Sequence, residues 1–438
     1  MLFFVLQVMD YSSMFHYNRI NNPGDIFMEK QLIGNLLYGQ SGGPSAVINA
    51  SAYGVISEAR KRGAIIPKIF AMHHGIQGVL NEDFIKICDQ PDSQIELLRH
   101  TPGSAFGSVR YTLKPWQEDE TDYIRILEIL KKYNIRYFFY NGGNDSMDTC
   151  QKIDSYLKHV GYEARVIGIP KTIDNDLPFT DHTPGYGSAA KFIANTLMEI
   201  SYDNLAYPKG RVNIVEIMGR HAGWLTASGA IATHNGFGPD LIYVPEIPFD
   251  VEKFKEDVKR VYEKKKRCLV AVSEGINDGK GNFIASVGTK ADAFGHQQLG
   301  GVASRLLQVV TNEINLPGRA IEISLLQRCA AHLQSKTDVT EASDVGSNAV
   351  KLAIQGHSGV MVTIHRESSD PYIVTYGCIP LEKVANVEFK MPRSMINEEG
   401  NHMTKEFLTY ALPLIEGEPK SVFRGGVAQL ARIKTNEN

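Results

Sequence analysis

Two carboxylates that lie two residues apart could divide a proton transfer between them in the segment PKTIDNDLP, residues 170–178. Asp174 could accept the proton of an attacking hydroxyl group, while Asp176 orients that hydroxyl or holds a metal ion. Lys171 precedes Asp174 by three residues and could neutralise charge that develops on a transferred phosphoryl group. The same residue types also form Asx-turns in surface loops, so this segment alone allows both interpretations.

Two glycine-rich segments each follow a predicted strand and open a predicted helix: GQSGGPS at residues 39–45 and NGGNDSMD at residues 141–148. Adjacent glycines let backbone N–H groups approach an anion at a helix N-terminus, where the helix dipole favours negative charge. Asn144 and Asp145 offer oxygens that suit Mg²⁺. A plain chain reversal in the first segment and a helix N-cap in the second are the alternatives. Neither segment has the Walker A or the GxGxxG pattern.

Arginines near the ends of further predicted strands could bind phosphate groups. Arg220 lies in MGRHAGW, residues 218–224, where its guanidinium could form two parallel hydrogen bonds with a phosphate, or a surface salt bridge. Glu274 ends one predicted strand, Arg319 opens another, and Arg328 follows that strand. A ligand with two phosphate groups would require cations of this kind at the ends of different strands.

The composition is that of a globular chain with no overall charge to attract nucleic acid or an anionic membrane. Its 438 residues include 46 Lys and Arg against 49 Asp and Glu, a formal net charge of -3. Five cysteines without a CxxC pair argue against a disulfide framework and a zinc site, and favour a cytoplasmic location. No stretch reaches the about 18 uninterrupted apolar residues of a membrane span. Residues 1–30 lack a clear period and are expected to lie outside the fold.

From Leu32 onward, short β-branched or aromatic runs alternate with longer helical patterns. This alternation predicts an α/β fold with mostly parallel sheets, because a parallel strand pair needs a crossover and a helix is the usual one. Ligands of such sheets bind beyond the carboxyl ends of the strands. The predicted strands are residues 32–38, 64–71, 135–140, 165–169, 211–217, 241–244, 268–273, 319–324 and 359–366, and the predicted helices are residues 45–62, 121–133, 146–159, 186–206, 221–234, 250–265, 295–313 and 338–355.

Taken together, these segments resemble the phosphofructokinase family in order and spacing, from about Ile33 to about Val362. The matching pieces are GQSGGP, GSVR ending at Arg110, GGNDS, PKTIDND, MGR, SEG, and two arginine pairs, Arg211 with Arg220 and Arg319 with Arg328. The resemblance implies two doubly wound α/β domains with the active site in the cleft between them. The implied division is an extension at 1–30, a donor-binding domain at 31–185 to which 327–375 returns, a fructose 6-phosphate domain at 186–326, and a C-terminal segment at 376–438.

The resemblance also implies a role for individual residues. Asp174 looks like the general base for the 1-hydroxyl of fructose 6-phosphate, with Asp176 assisting and Thr172 on the transferred phosphoryl group. The other implied contacts are Gly43, Arg110 and Ser146 on the donor, Met218, Gly219, Arg220 and Glu274 on the sugar, Arg211, Arg319 and Arg328 on phosphate, and Asn144 and Asp145 on Mg²⁺. Arg211 and Arg319 are expected across a subunit interface, which implies a homo-oligomer, a dimer or a tetramer.

Two positions bear on the phosphoryl donor. ATP-using members resemble GGDGS in the second glycine-rich segment, and their last glycine stands at the position of Asp145, where it leaves room for the α-phosphate of ATP. A carboxylate at this position would fill that space and repel the phosphate. Lys171 stands where ATP-using members usually carry a small residue. Both predict pyrophosphate as the donor and a reaction that runs readily in both directions. An ATP-dependent enzyme is one alternative. A non-catalytic sugar-phosphate-binding subunit is another, because Asn144 replaces the family's usual metal-binding Asp and Leu325 its usual His.

Overall fold

The computed structural model describes residues 31–284, 286–291 and 297–435. The predicted extension, residues 1–30, lies outside this description. Within these ranges, every helix is too short or too polar to cross a membrane. The strands are β1 (Asn35–Gln40), β2 (Ile69–Met72), β3 (Phe84–Lys86), β4 (Ile135–Gly142), β5 (Arg165–Pro170), β6 (Val212–Ile217), β7 (Leu241–Tyr243), β8 (Cys268–Ser273), β9 (Ser286–Ala291), β10 (Gln297–Leu299), β11 (Gly318–Glu322), β12 (Val360–Ser369), β13 (Tyr372–Pro380), β14 (Phe423–Arg424) and β15 (Val427–Ala428).

The α-helices alternate with these strands, which confirms the predicted α/β class. They are α1 (Ile48–Arg60), α2 (Gly75–Leu80), α3 (Asp92–Leu97), α4 (Thr121–Lys132), α5 (Asn144–His159), α6 (Tyr186–Leu205), α7 (Trp224–Ala227), α8 (Gly229–His234), α9 (Val251–Lys265), α10 (Val302–Asn312), α11 (Leu326–Cys329), α12 (Lys336–Ile354) and α13 (Lys405–Ala411).

The larger sheet has the strand order β13-β12-β5-β4-β1-β2-β3. Its five inner strands are parallel, and the two edge strands β3 and β13 are antiparallel to their neighbours. Leu37 and Phe138 pack into the core on one face, whereas Leu36 and Phe139 pack on the other. Both faces are therefore buried, which explains why these strands read as continuous apolar runs.

The register of the larger sheet brings three of the predicted loops to one edge. Gln40 of β1 pairs with Asn141 of β4, and Gly142 of β4 pairs with Pro170 of β5. The carboxyl ends of these three parallel strands are consequently level. The glycine-rich segments and the segment with the two aspartates all begin there, which is where α/β sheets bind their ligands.

The smaller sheet is parallel throughout, with the order β11-β6-β8-β7. Ile217 at the end of β6 pairs with Ser273 at the end of β8. The MGR segment and Glu274 therefore start side by side. Trp224 and Leu197 belong to the core on one face of this sheet, and Phe254 belongs to the core on the other.

The chain returns to the larger sheet after the smaller one. β12 pairs with β5, and β13 runs along β12, so the boundary predicted at residue 376 falls inside β13. Residues after β13 then pack beside the smaller sheet, where Phe407 and Leu414 join the core that contains Trp224. Farther on, the Gln90 side chain forms hydrogen bonds of 3.0 and 2.8 Å with the backbone of Lys434.

Several predicted elements are wrong in their extent. The strand expected at 64–71 begins only at Ile69, because the chain is still turning out of α1 through residue 65. The helix expected at 221–234 is divided into α7 and α8 at Ser228. A run of small apolar residues continues through this point, so the hydrophobic pattern does not reveal the break.

The helix expected at 295–313 begins only at Val302. Gly300 and Gly301 precede it with φ angles of 147° and 80°, which a right-handed helix does not allow. Strand β10 occupies residues 297–299. The two edge strands β3 and β13 were not predicted; β13 pairs with β12 across the two-residue connection 370–371, whereas β3 pairs with β2 after helix α2.

Candidate active site

Lys171 joins the three loops at the edge of the larger sheet. Its backbone N–H donates to the Gly142 carbonyl oxygen at 3.1 Å, and its ammonium nitrogen donates to the Gly43 carbonyl oxygen at 2.6 Å. Gly142 allows Ser146 to approach closely, because a Cβ on residue 142 would lie 1.9 Å from Ser146 Oγ. Burial lowers the pKa of Lys171 to about 8, against the opposing effect of neighbouring carboxylates. The structure thus places a buried amine among the predicted donor-binding residues Gly43 and Ser146.

Asp174 and Asp176 lie in a tightly hydrogen-bonded loop. The Asp174 N–H donates to Thr172 Oγ1 at 3.1 Å, and the Thr172 hydroxyl in turn donates to Asp176. Burial raises the pKa of Asp174 above its ordinary value. Burial, followed by the carboxylate of Asp174, raises the pKa of Asp176 to about 7. Such a pair can hold one proton between two carboxylates near neutral pH, which suits a general base and its assistant.

Cations surround this carboxylate pair on the side of the first glycine-rich loop. Arg328 Nη1 lies 3.0 Å from the point that a Cβ on Gly43 would occupy. Burial lowers the pKa of Arg328, and the guanidinium of Arg110 lowers it further. Lys171 and Arg328 both favour the ionised form of Asp174. Arg110, Lys171 and Arg328 therefore face the predicted donor site together.

The predicted sugar-binding residues gather at the carboxyl ends of β6 and β8. The Gly219 N–H donates to Glu274 Oε1 at 3.4 Å. Burial, followed by the carboxylate of Asp174, raises the pKa of Glu274 to about 7. The guanidinium of Arg220 favours the ionised forms of both Glu274 and Asp174. Met218 precedes Gly219 directly, so this set faces Asp174 from the smaller sheet.

The segment with Leu325 departs from its expected arrangement. Leu325 is exposed, whereas Gln327 is buried and accepts the Met218 N–H at 3.2 Å. Gln327 Nε2 also donates to the Ser324 carbonyl oxygen at 2.9 Å. Arg328, expected on the sugar 6-phosphate, lies beside Gly43 in the donor loop. The sequence did not predict a role for Gln327. Its hydrogen bond with Met218 holds the MGR loop in place.

Arg211 and Arg319 lie at the other end of the smaller sheet. Arg319 pairs with Asn213 near the start of β6, and Arg211 immediately precedes that strand; both arginines are exposed. The site lies beyond the carboxyl end of β6, about 20 Å away at the ordinary rise of a strand. Within one chain these two arginines are therefore remote from Asp174.

Asn144 and Asp145 occupy the first turn of α5, next to the buried Ser146. Asn144 Oδ1 is buried and has no hydrogen-bond partner among the described residues. Among all the residues that the structure describes, no group of three or more His, Cys, Asp or Glu side chains could hold a metal ion. One amide oxygen and one carboxylate fit Mg²⁺, which usually takes one or two carboxylates together with substrate phosphates.

The C-terminal segment contributes residues that the sequence did not suggest. The carboxylate of Glu388 raises the pKa of Asp174 and of Asp176, so it faces both. His221 Nδ1 lies 2.8 Å from Glu388 Oε1. The Phe389 N–H donates to the Asp176 carbonyl oxygen at 2.7 Å. Glu388 and Phe389 lie in VEFKMP, a stretch with no recognisable motif, so local sequence offered no signal for them.

Paired carboxylates face a cluster of cations at the carboxyl ends of two mostly parallel sheets. The chain therefore has the fold and the site of an α/β phosphotransferase. The sequence profile described as Phosphofructokinase matches residues 35–352. The chain therefore belongs to the phosphofructokinase family, as its motifs predicted.

Individual relatives match over almost the whole chain. A pyrophosphate–fructose 6-phosphate 1-phosphotransferase of Xanthomonas campestris is 46% identical over 408 residues, 92% of this chain and 96% of the relative. The protein of the same name from Halomonas elongata is 44% identical over 402 residues, 91% of this chain and 96% of the relative. The crystal structure of a pyrophosphate-dependent phosphofructokinase from Marinobacter aquaeolei matches with a TM-score of 0.82 at 40% identity, covering 93% of this chain and 97% of that one.

Proposed function

We propose that this chain transfers a phosphoryl group reversibly from pyrophosphate to the 1-hydroxyl of fructose 6-phosphate, giving fructose 1,6-bisphosphate and phosphate. The observation that carries the proposal is the buried ammonium of Lys171, which reaches the Gly43 carbonyl among the donor loops. A fixed cation there suits a small, highly charged donor. The relatives from Xanthomonas campestris and Halomonas elongata carry this activity in their names.

Asp174 acts in this proposal as the general base. It takes the proton of the sugar 1-hydroxyl while that oxygen forms a bond to the transferred phosphorus and the bond to the leaving phosphate breaks. The raised pKa of Asp174 makes it a stronger base than an exposed carboxylate. Asp176 shares the proton, and the hydroxyl of Thr172 donates to the Asp176 carboxylate while accepting the backbone N–H of Asp174. In the reverse direction, protonated Asp174 returns the proton to the sugar oxygen.

The cations of the larger sheet hold the donor. Lys171, Arg110 and Arg328 neutralise the charge on the departing phosphate, which is the main demand of phosphoryl transfer. Asn144 and Asp145 would hold Mg²⁺, which supplies further positive charge to the phosphates when it is bound. Asp145 also disfavours ATP, because its carboxylate would occupy the space that the α-phosphate of the nucleotide needs.

The sugar phosphate binds against Met218, Gly219, Arg220 and Glu274, and its 6-phosphate needs further cations. Arg211 and Arg319 are exposed at the far end of the smaller sheet, so we assign them to the site of a second copy. The working protein is then a homo-oligomer, and its location is the cytoplasm. The oligomer rests on the family resemblance and on the placement of these two arginines, and the cytoplasmic location rests on the five cysteines, which include no CxxC pair.

A coupled assay tests the proposal. Purified protein with fructose 6-phosphate and Mg²⁺ is supplied with either pyrophosphate or ATP, and fructose 1,6-bisphosphate is detected through aldolase. We expect turnover with pyrophosphate and at most traces with ATP. Turnover with ATP and none with pyrophosphate would establish the ATP-dependent alternative. Binding of fructose 6-phosphate without turnover on either donor would establish a non-catalytic subunit.

A further inference from the structure

Asn175 separates the two aspartates and has a left-handed backbone, with φ at 57°. Its side chain is 2% exposed and is held at both ends. Oδ1 accepts the Thr183 N–H at 2.9 Å, and Nδ2 donates to the Tyr410 hydroxyl oxygen at 2.7 Å. A residue that departs from ordinary backbone geometry needs such outside contacts to keep its conformation.

Tyr410 provides the contact from 235 residues away, on α13. Its hydroxyl accepts from Asn175 and donates to the Asp181 carbonyl oxygen at 3.0 Å. One oxygen thereby bridges two points of the loop that carries Asp174 and Asp176. Both bonds depend on this hydroxyl alone, whereas the ring packs against Trp224 with centroids 5.0 Å apart.

A buried ion cluster fixes the position of Tyr410. Arg366 donates to the Tyr410 carbonyl oxygen at 2.9 Å, and its guanidinium lies 4.9 Å from the centre of the Tyr410 ring. The same guanidinium contacts Asp181 Oδ2 at 2.8 Å. His182 lies between carboxylates of Asp181 and Glu341, at 2.8 and 2.6 Å. This cluster connects α13 to β12, to α12 and to the loop after the two aspartates.

We propose that Tyr410 is a positioning residue, whose hydroxyl holds Asn175 and thereby aims Asp174 at the sugar hydroxyl. The proposal rests on the function proposed above. Both hydrogen bonds of this hydroxyl are made to the protein, so its loss should leave binding largely intact. Proton transfer is far more sensitive, since a displacement of about 1 Å at a reacting group can slow a reaction about a hundredfold.

Tyr410→Phe removes the hydroxyl and keeps the ring. Tyr376→Phe is the matched control, because the Tyr376 hydroxyl also donates a partly buried hydrogen bond, to the Asp344 carboxylate at 3.1 Å, but lies on the outer strand β13. We expect the kcat of Tyr410→Phe to fall at least about tenfold in both reaction directions, with the KM for fructose 6-phosphate within about twofold of wild type. The control should keep the wild-type kcat.

Equal kcat values in the two variants would overturn the proposal, and so would a change confined to KM. If Tyr410→Phe does not fold, Asn175→Gly makes the same test, because glycine accepts the left-handed backbone and removes the side-chain amide. A wild-type kcat in that variant likewise refutes the positioning role. Failure of the proposed function is a separate result, since the wild-type protein would then show no pyrophosphate turnover.

Discussion

The ammonium nitrogen of Lys171 and the carbonyl oxygen of Gly43 are joined by a hydrogen bond of 2.6 Å across 128 residues of sequence. The bond holds the loop of the two aspartates against the first glycine-rich loop. It also keeps Lys171 beside carboxylates that favour its charged form, although burial lowers the pKa of this lysine. The two loops are therefore joined through one residue, Lys171.

Replacing the two donor-selecting residues should change the donor. We expect Asp145→Gly combined with Lys171→Gly to lower kcat/KM for pyrophosphate at least about a hundredfold, because a cation that stabilises the departing phosphate is lost. The added space should also admit ATP at a measurable rate. Steady-state assays with each donor check this, with Lys280→Gly in an exposed bend as control. Unchanged pyrophosphate kinetics in the double variant would contradict the donor assignment.

Asp174→Asn should remove the base without harming the fold. We expect kcat to fall by about 10²- to 10⁴-fold, the usual contribution of a general base. The melting temperature should stay equal or rise at neutral pH, because a buried carboxylate with a raised pKa is replaced by a neutral amide. Kinetics and thermal denaturation measure the two effects. A kcat within about threefold of wild type would show that another group accepts the proton.

Asp176 should make stability depend on pH. Its folded-state pKa is raised to about 7, so its protonated form favours the folded protein at low pH. That contribution is lost as the pH rises from the ordinary aspartate range through about 7. We therefore expect Asp176→Asn to gain in melting temperature relative to wild type across this interval. A difference in melting temperature between the two proteins that stays constant across this pH interval would rule out the raised pKa.

Hybrid oligomers can test whether Arg319 serves a neighbouring site. Arg319→Ala should raise the KM for fructose 6-phosphate at least about tenfold, the effect of losing one charged hydrogen bond. A hybrid of Arg319→Ala and Asp174→Asn chains, purified through two different tags, should recover the wild-type KM, because one site then combines an intact base with an intact arginine. The control hybrid pairs Arg328→Ala with Asp174→Asn and should show no recovery relative to Arg328→Ala, since Arg328 lies beside Asp174 in the same chain. An Arg319 hybrid that keeps the raised KM would place that arginine elsewhere.

Local sequence was sufficient for the elements and loops whose signals are short-range. The apolar runs of β1, β4 and β5 and the glycines and aspartates that follow them predicted the sheet and its ligand-binding edge. Parallel pairing then explains why these loops meet, since their carboxyl ends are level in the register of the sheet. The family could be predicted for the same reason, because its motifs are contiguous.

Contacts between distant parts of the chain required the tertiary structure. The sequence named Asp174, Asp176 and Lys171 but gave no sign that Glu388, Phe389 and Tyr410 surround them, because those residues lie in segments without a motif. It also did not show that α11 brings Arg328 beside Gly43. Residue type and spacing determined which chemistry the chain can perform. Packing of the C-terminal segment against the aspartate loop decided how its carboxylates are held, because hydrogen bonds across more than two hundred residues follow from the fold and not from local pattern.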